Sequence, residues 1–434
     1  MRRALRLRFV ITVVAVLTAM TGCGGGDGGG GSGRVTLTFW TWVPGIEKSI
    51  DLWNSQNPDV QVELESITAG VDGGYAKMFS AVKAGAAPDV AQVEYWEIPA
   101  FLLEQGLVEL GRYGARQHAG EFVPWQWRQG VFGDGVYAIP QASGPMALYY
   151  RADLFQKWGI EPPATWDAYE RAARRIRAAD PSARIGTFPP ANSQWFVALA
   201  WQAGARWFGA DGRWSVGIDD AATLRVAAYW DRLRRDGLIF TMPDVHTEWY
   251  KAVRDGKIVA WLGPQWGDAL LKGNAPNTAG KWRVAPMPQW DPARPASANW
   301  GGSSTAVLRG TRHPREALRF ALWLNTDRRS VDHLIEGGYG WPAAAGIARG
   351  SALDRADPFF GGQRYNDVFA EADRHVDTGW RWVPTTAAML DSLNIGFTDA
   401  AGGRGGFVEA VRAAQRSTVR DMRRKGLTVD EQRR

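Results

Sequence analysis

Between residues 34 and 94 the hydrophobic pattern switches period four times, and few folds accept that order. Arg34-Val35-Thr36-Leu37-Thr38-Phe39-Trp40-Thr41-Trp42 is β-branched and aromatic and predicts a strand. Ile46, Ile50 and Trp53 then recur at helical spacing, and Asn57-Pro58 stops that helix. Val60, Val62 and Leu64 alternate as in a second strand. Tyr75, Met78, Phe79 and Val82 return to a helical period closed by Gly85, and Ala87-Pro88-Asp89-Val90 opens a third strand. A helix between successive strands returns the chain to the same end of the sheet, so this order predicts an α/β fold with parallel strands. Further on, Gly135-Val136-Tyr137-Ala138-Ile139-Pro140 leads to Ala147-Leu148-Tyr149-Tyr150. Thr165 is placed to cap a helix carrying Trp166, Tyr169, Ala173 and Ile176, and Pro314 to open one carrying Ala317, Phe320 and Leu324. No repeat of solenoid period is visible.

The N-terminus reads as a targeting segment. Arg2, Arg3, Arg6 and Arg8 precede an apolar run from Phe9 to Ala19. A stable bilayer-spanning helix needs ~20 apolar residues, so a signal peptide over residues 1–22 fits better. The run ends at Met20-Thr21-Gly22-Cys23, which resembles a bacterial lipobox with Met20 where Leu is usual. In that motif the cysteine is diacylated and becomes the first mature residue, so Cys23 is the candidate lipidation site and membrane anchor. The Arg2-Arg3 pair suits twin-arginine export, but the residues after it fit that pattern poorly. Residues 23–33 are almost all glycine and read as a flexible tether. Cys23 is the only cysteine, so no intramolecular disulfide can form. The net charge of +6 includes four leader arginines; 6 minus 4 leaves +2 for the remainder. Much of that excess lies in Arg412, Arg416, Arg420, Arg423, Arg424, Lys425, Arg433 and Arg434, as on a solvated terminal helix face. A nucleic-acid partner is not expected. About 400 residues remain after the tether, enough for two lobes with cores of their own.

Several segments in order resemble the family 1 extracellular solute-binding proteins, the group containing maltose- and other oligosaccharide-binding proteins. They are Thr38-Phe39-Trp40, Asn57-Pro58-Asp59-Val60, Ala84-Gly85-Ala86-Ala87-Pro88-Asp89-Val90, Tyr137-Ala138-Ile139-Pro140, Leu148-Tyr149-Tyr150-Arg151 and Lys157-Trp158-Gly159-Ile160-Glu161-Pro162-Pro163-Ala164-Thr165-Trp166. Gly256-Lys257-Ile258-Val259-Ala260-Trp261-Leu262-Gly263-Pro264-Gln265-Trp266, Val284-Ala285-Pro286-Met287-Pro288 and Trp300-Gly301-Gly302 follow. The resemblance implies a two-lobed periplasmic-binding-protein-like fold, with a ligand cleft between lobes and hinge crossovers. The first lobe is then residues 34–145 and 303–372, and the second 146–302 and 373–434. It further implies a monomeric lipoprotein outside the cytoplasm that binds a carbohydrate and passes it to ABC permease subunits, with closure about the hinge. No cofactor is implied.

A sugar ring presents C–H groups to a flat aromatic and hydroxyls to polar groups at its rim, so tryptophans near acceptors are the site candidates. The chain has 23 tryptophans, most of which belong in a core. Trp40 and Trp42 share a strand face near the end of the first parallel strand, where α/β sheets bind ligands. Glu94 and Trp96 follow the third strand. By resemblance Trp266 is a stacking residue, although Gly263-Pro264-Gln265-Trp266 carries one residue more than the family's segment. Ser143 in Gln141-Ala142-Ser143-Gly144, and Asn192 and Trp195, are weaker candidates on the same ground. Trp300 and Gly302 mark the second crossover, where glycine lets backbone approach a ligand. Tyr339 and Trp341, and Trp380, Arg381 and Trp382, complete the set, with Arg381 able to fork onto adjacent hydroxyls. Trp125 and Trp127 share the two-residue spacing, but nothing in the sequence places them at the cleft.

The five histidines are scattered without ligand spacing, and with one cysteine no thiolate metal site forms. No Walker A motif or G-x-S-x-G elbow is present, and Gly133-Asp134-Gly135-Val136-Tyr137-Ala138 leads into Ile139-Pro140, not into a helix. Two alternatives stand beside sugar capture: the same fold binding a polyol, a phosphorylated polyol or a peptide-like compound, and a secreted glycosidase using Glu94 with Asp153 or Glu97. The resemblance is to non-catalytic proteins and disfavours the enzyme.

Overall fold

The computed structural model describes residues 34–210 and 213–431. The leader, Cys23 and the glycine tether lie outside the described residues. Strands Val35–Thr41, Val60–Ser66 and Val90–Glu94 pair in parallel, with Val35–Thr41 in the middle. Helices Glu47–Gln56 and Gly74–Ala84 are the intervening crossovers, and Gly85, at φ +67°, closes the second in the left-handed region that glycine adopts freely. The parallel expectation holds for these three strands. Beyond them, Ser303–Val307, Ala138–Ser143 and Trp341–Pro342 each run antiparallel to their neighbour and complete a six-stranded mixed sheet.

Alternation sorts this sheet's side chains onto two faces. Leu37, Phe39, Val62 and Val307 pack with Ile50 and Trp53 of helix Glu47–Gln56 and Phe320 of helix Pro314–Thr326. Trp53 lies 5.3 Å from the Phe320 ring and donates its indole N–H to the Val60 carbonyl at 2.8 Å. Ala91, Val93 and Ala306 on the other face join a core that runs on into the second lobe.

The second lobe is built on Met146–Arg151, flanked antiparallel by Ala260–Pro264 and Trp282–Ala285. Thr165 caps helix Trp166–Ala179 by accepting the Ala168 N–H at 3.1 Å, and Pro314 opens its helix at the first position. Helix Phe407–Arg424 buries Val411, Ala414 and Met422, while Arg416, Arg420, Arg423 and Arg424 are exposed. The sequence assigns residues 303–372 to the first lobe, but Phe360 and Phe369 lie 5.9 and 5.6 Å from the Tyr149 ring of the second sheet. Among the described residues no helix is long and apolar enough to cross a membrane.

Removing the Thr165 cap leaves the Ala168 N–H without its acceptor. Thr165→Ala is expected to lower unfolding free energy by about 1 kcal/mol in denaturant melts, with ligand affinity unchanged because the helix lies outside the crossovers.

Candidate functional site

Two crossovers run side by side, and their mutual hydrogen bonds set the geometry around them. The Trp300 N–H donates to the Gly144 carbonyl at 2.9 Å and the Met146 N–H to the Ala298 carbonyl at 3.1 Å. Asn299 braces both chains: its Oδ1 accepts the Gly144 N–H at 2.7 Å and its Nδ2 donates to the Gly301 carbonyl at 2.6 Å. Glycine is required at two points. A Cβ on Gly144 would lie 2.1 Å from the Trp300 oxygen, and one on Gly302, where φ is +106°, would lie 2.9 Å from the Tyr95 ring.

Trp266 docks onto this junction. Its indole N–H donates to the Trp300 carbonyl at 3.1 Å, its ring meets Trp300 edge-on at 5.2 Å, and it remains half-buried. Gly340 brings Ser143 and Trp266 together, since a Cβ there would lie 3.1 Å from the Ser143 carbonyl oxygen and 3.5 Å from the Trp266 Cβ; Tyr339, next to it, packs against the first-lobe core. Trp341 pairs with Ser143 across the sheet edge. The junction thus brings together Trp266, Trp300, Gly302, Ser143, Tyr339 and Trp341.

A second group lies at the carboxyl ends of the first-lobe strands. Trp42 meets Tyr75 edge-on at 5.8 Å, and Tyr75 meets Trp96 at 5.5 Å. The Tyr75 hydroxyl donates to Glu94 Oε2 at 3.0 Å and accepts the Glu94 N–H at 2.9 Å. Burial pushes the Glu94 carboxyl up to about 7, with the Trp96 and Tyr75 side chains pulling the other way. Glu97, 4% exposed, is pushed up to about 8 by burial and then by the Glu94 charge, with Lys425 opposing. Such carboxyls are proton-sharing groups near neutrality, able to donate to a hydroxyl as well as accept from one.

Other candidates fare differently. Trp40 has its ring covered by the Lys77 ammonium at 4.1 Å, so that face is taken. Trp195 is core: it packs on Trp230 at 4.8 Å and donates its N–H to the Leu262 carbonyl at 2.9 Å. Asn192 bonds Asp244 Oδ1 at 3.1 Å. Trp380 stacks on Trp201 at 5.0 Å and is buried, whereas Trp382 is half-buried and Arg381 is exposed. The indoles of Trp380 and Trp382 stand 76° apart and so present no common platform to Arg381.

Trp125 is the residue the sequence reading passed over. Its N–H donates to Asp373 Oδ1 at 3.0 Å, joining helix Pro124–Gln129 to helix Asn366–Arg374, and its ring reaches Trp201 at 6.2 Å. Burial pushes Asp373 up to about 6, against the Trp125 and Trp341 indoles. The 125/127 spacing was a signal, but its partner lies 248 residues away.

Two lobes, two crossovers braced at glycine, and an aromatic docked where they meet define a solute-binding architecture. The family model described as bacterial extracellular solute-binding protein matches residues 40–328, and the chain belongs to that family. The galacto-N-biose-/lacto-N-biose I-binding protein of an ABC transporter from Bifidobacterium longum, solved with lacto-N-biose, superposes with a TM-score of 0.84 at 27% identity, covering 93% of this chain and 100% of that one. An ABC transporter associated binding protein from B. animalis subsp. lactis Bl-04, solved with β-1,6-galactobiose, gives 0.79 at 26% identity over 92% and 100%. An arabinooligosaccharide-binding protein of Halalkalibacterium halodurans is 25% identical over 314 residues, 69% of each chain.

The raised carboxyls have a stability consequence. Their folded pKa values exceed the unfolded ones, so the native state holds more protons and unfolding free energy falls as pH rises from about 4.5 through about 8. Denaturant melts across that window are expected to show this decline, and Glu97→Gln to flatten its upper part. A slope unchanged by that substitution would contradict the assignment.

Proposed function

We propose that this protein captures a carbohydrate, an oligosaccharide by preference, between its lobes and delivers it to the permease of an ABC importer. The observation that carries the reading is the half-buried Trp266, docked by its indole N–H on the Trp300 carbonyl where the two crossovers meet, with part of its ring left exposed. An indole with part of its ring exposed suits the C–H face of a sugar, whose hydroxyls then reach polar groups at its rim. The sugars named for the relatives above support it. Capture proceeds without bond cleavage, so incubated oligosaccharide returns intact.

A thermal-shift and calorimetric screen of arabinotriose, lactose, lacto-N-biose and β-1,6-galactobiose, with mannitol and a dipeptide as non-sugar probes, tests this. Any binder at 100 times its dissociation constant stabilises by ~2.7 kcal/mol. Trp266→Ala and Trp42→Ala are each expected to cost roughly 2–4 kcal/mol of binding, ~30- to 1,000-fold in Kd. Unchanged affinity with a large loss of folding stability would make these indoles core residues, and binding only to a non-sugar probe would overturn the sugar reading.

Lipid attachment at Cys23 belongs to the same proposal, since a diacylated cysteine ahead of a glycine tether holds a binding protein beside a permease. Cys23→Ser is expected to move the protein from the membrane fraction to the soluble extracytoplasmic fraction. Retention of that variant at the membrane, with no lipid mass on the wild-type protein, would exclude the anchor.

A further inference from the structure

Helix Phe407–Arg424 turns one face into the second lobe through Val411, Ala414, Thr418, Val419 and Met422. Arg412, Arg416, Arg420 and Arg424 recur every four residues and so form one row on the outward face. From first to last the row spans ~18 Å. Neighbours four apart on a helix interact, and like charges at that spacing repel. The row therefore holds three repulsive pairs in succession.

The helix relieves only its end. Its two acids are Glu409 and Asp421. The Glu409 carboxylate turns back to the helix start, where a Cβ on Gly406 would lie 2.6 Å from its Oε2. Asp421 pairs with Arg424 at 2.5 Å, and Arg424 also stands in the last turn, where the helix dipole favours a cation. Arg412, Arg416 and Arg420 have neither relief: they precede the last turn and make no ion pair among the described residues. The adjoining helix Ala221–Arg235 shows the contrast. Arg234, whose guanidinium lies 5.5 Å from the Phe407 ring, pairs with Asp231, as does Arg235, and Arg232 pairs with Glu170. Arginines there are neutralised one by one; on helix Phe407–Arg424 they are left in register.

Such a row is unfavourable alone and favourable against negative charge. Its shape narrows the partner. Ala413 and Ser417, the residues beside it on the outward side, are short, so the guanidinium groups stand outermost on a convex face with no groove between them. That suits a plane of charge, and the guanidinium fork fits phosphate oxygens. We propose that this row is a contact surface for anionic phospholipid headgroups, laying the second lobe against the bilayer. The surface lies apart from sugar capture and does not depend on it. With Cys23 acylated, the tether of residues 23–33 keeps the lobe within ~40 Å of those headgroups, and the row then fixes which side of the lobe meets them.

The chain from residue 24, which keeps every described residue and lacks the leader's own charges and any acyl group, is sedimented with vesicles. One set holds phosphatidylglycerol and phosphatidylcholine in equal parts, the other phosphatidylcholine alone. Binding is expected to the first set only, and to be lost in about 1 M salt, where the screening length is ~3 Å. Each basic residue at an anionic surface contributes about fivefold, so Arg416→Glu with Arg420→Glu is expected to weaken binding about 25-fold or more. The same change gives Arg412 and Arg424 favourable partners four residues away, so the melting temperature is expected to hold or rise, which separates lost binding from lost folding. Arg128→Glu with Arg312→Glu makes the same charge change at exposed residues of the first lobe and is expected to bind nearly as the parent does. Equal losses in the two double variants would reduce the effect to net charge and overturn the row. Binding as strong to phosphatidylcholine alone, or no vesicle binding, would overturn the headgroup contact. Tighter binding to polyglutamate than to the anionic vesicles, dependent on Arg416 and Arg420, would give the row to an acidic protein segment and overturn the bilayer.

Discussion

The hydrogen bond from the Trp300 N–H to the Gly144 carbonyl, braced by Asn299, which accepts the Gly144 N–H, is the contact on which the remaining architecture depends. On one side of it lie the adjoining strands Ala138–Ser143 and Ser303–Val307 of the first sheet; on the other, Met146–Arg151 begins the second. The two crossovers are therefore one short ribbon, and the lobes are joined through paired backbone, not through slack chain. The amide of Asn299 bonds both strands of that ribbon. A Cβ on Gly144 would lie 2.1 Å from the Trp300 oxygen and 2.7 Å from the Trp266 Nε1, so glycine there leaves room for Trp266 to dock on the Trp300 carbonyl.

Aromatic packing fills the rest, and burial marks which indoles are structural. Trp166 donates to Gln202, Trp207 to Thr223, Trp249 to Thr187 and Trp282 to Thr278, and all four are buried. A buried indole N–H without an acceptor carries a desolvation cost, and in these four a Thr or Gln side chain supplies the acceptor. Trp266 differs in donating to a crossover carbonyl while keeping part of its ring exposed.

This explains how far the sequence could be read. The strand and helix order from Val35 to Val90, the Thr165 cap and the Pro314 start depend on neighbours a few residues away, and all were legible. The junction at Ser143 and Trp300 was legible through glycine, whose backbone freedom marks a close approach. Trp195 was not, because its environment comes from Trp230 and Leu262, far along the chain. The cover on one face of Trp40 was not legible for a similar reason, since Lys77 reaches it from helix Gly74–Ala84, the second along the chain. Trp125 carried a visible pattern with no means of choosing between surface and interior until Asp373 supplied its partner.

The position of Ser303–Val307 in the first sheet has a kinetic meaning. It lies between Val90–Glu94 and Ala138–Ser143, and the Ser304 hydroxyl donates to the Val93 carbonyl from 211 residues away. The middle of the N-terminal sheet thus stays open until the whole first stretch of the second lobe has been made and brought back. Long-range pairing of this kind slows folding, because the entropy of closing the loop is lost before the contact forms. A nascent chain that has emerged only as far as residue 300 holds the three parallel strands with an open edge, and Ala138–Ser143 with neither of its neighbours yet made. Its folding clock starts late, and a chain in that condition stays threadable for as long as the last central strand is missing.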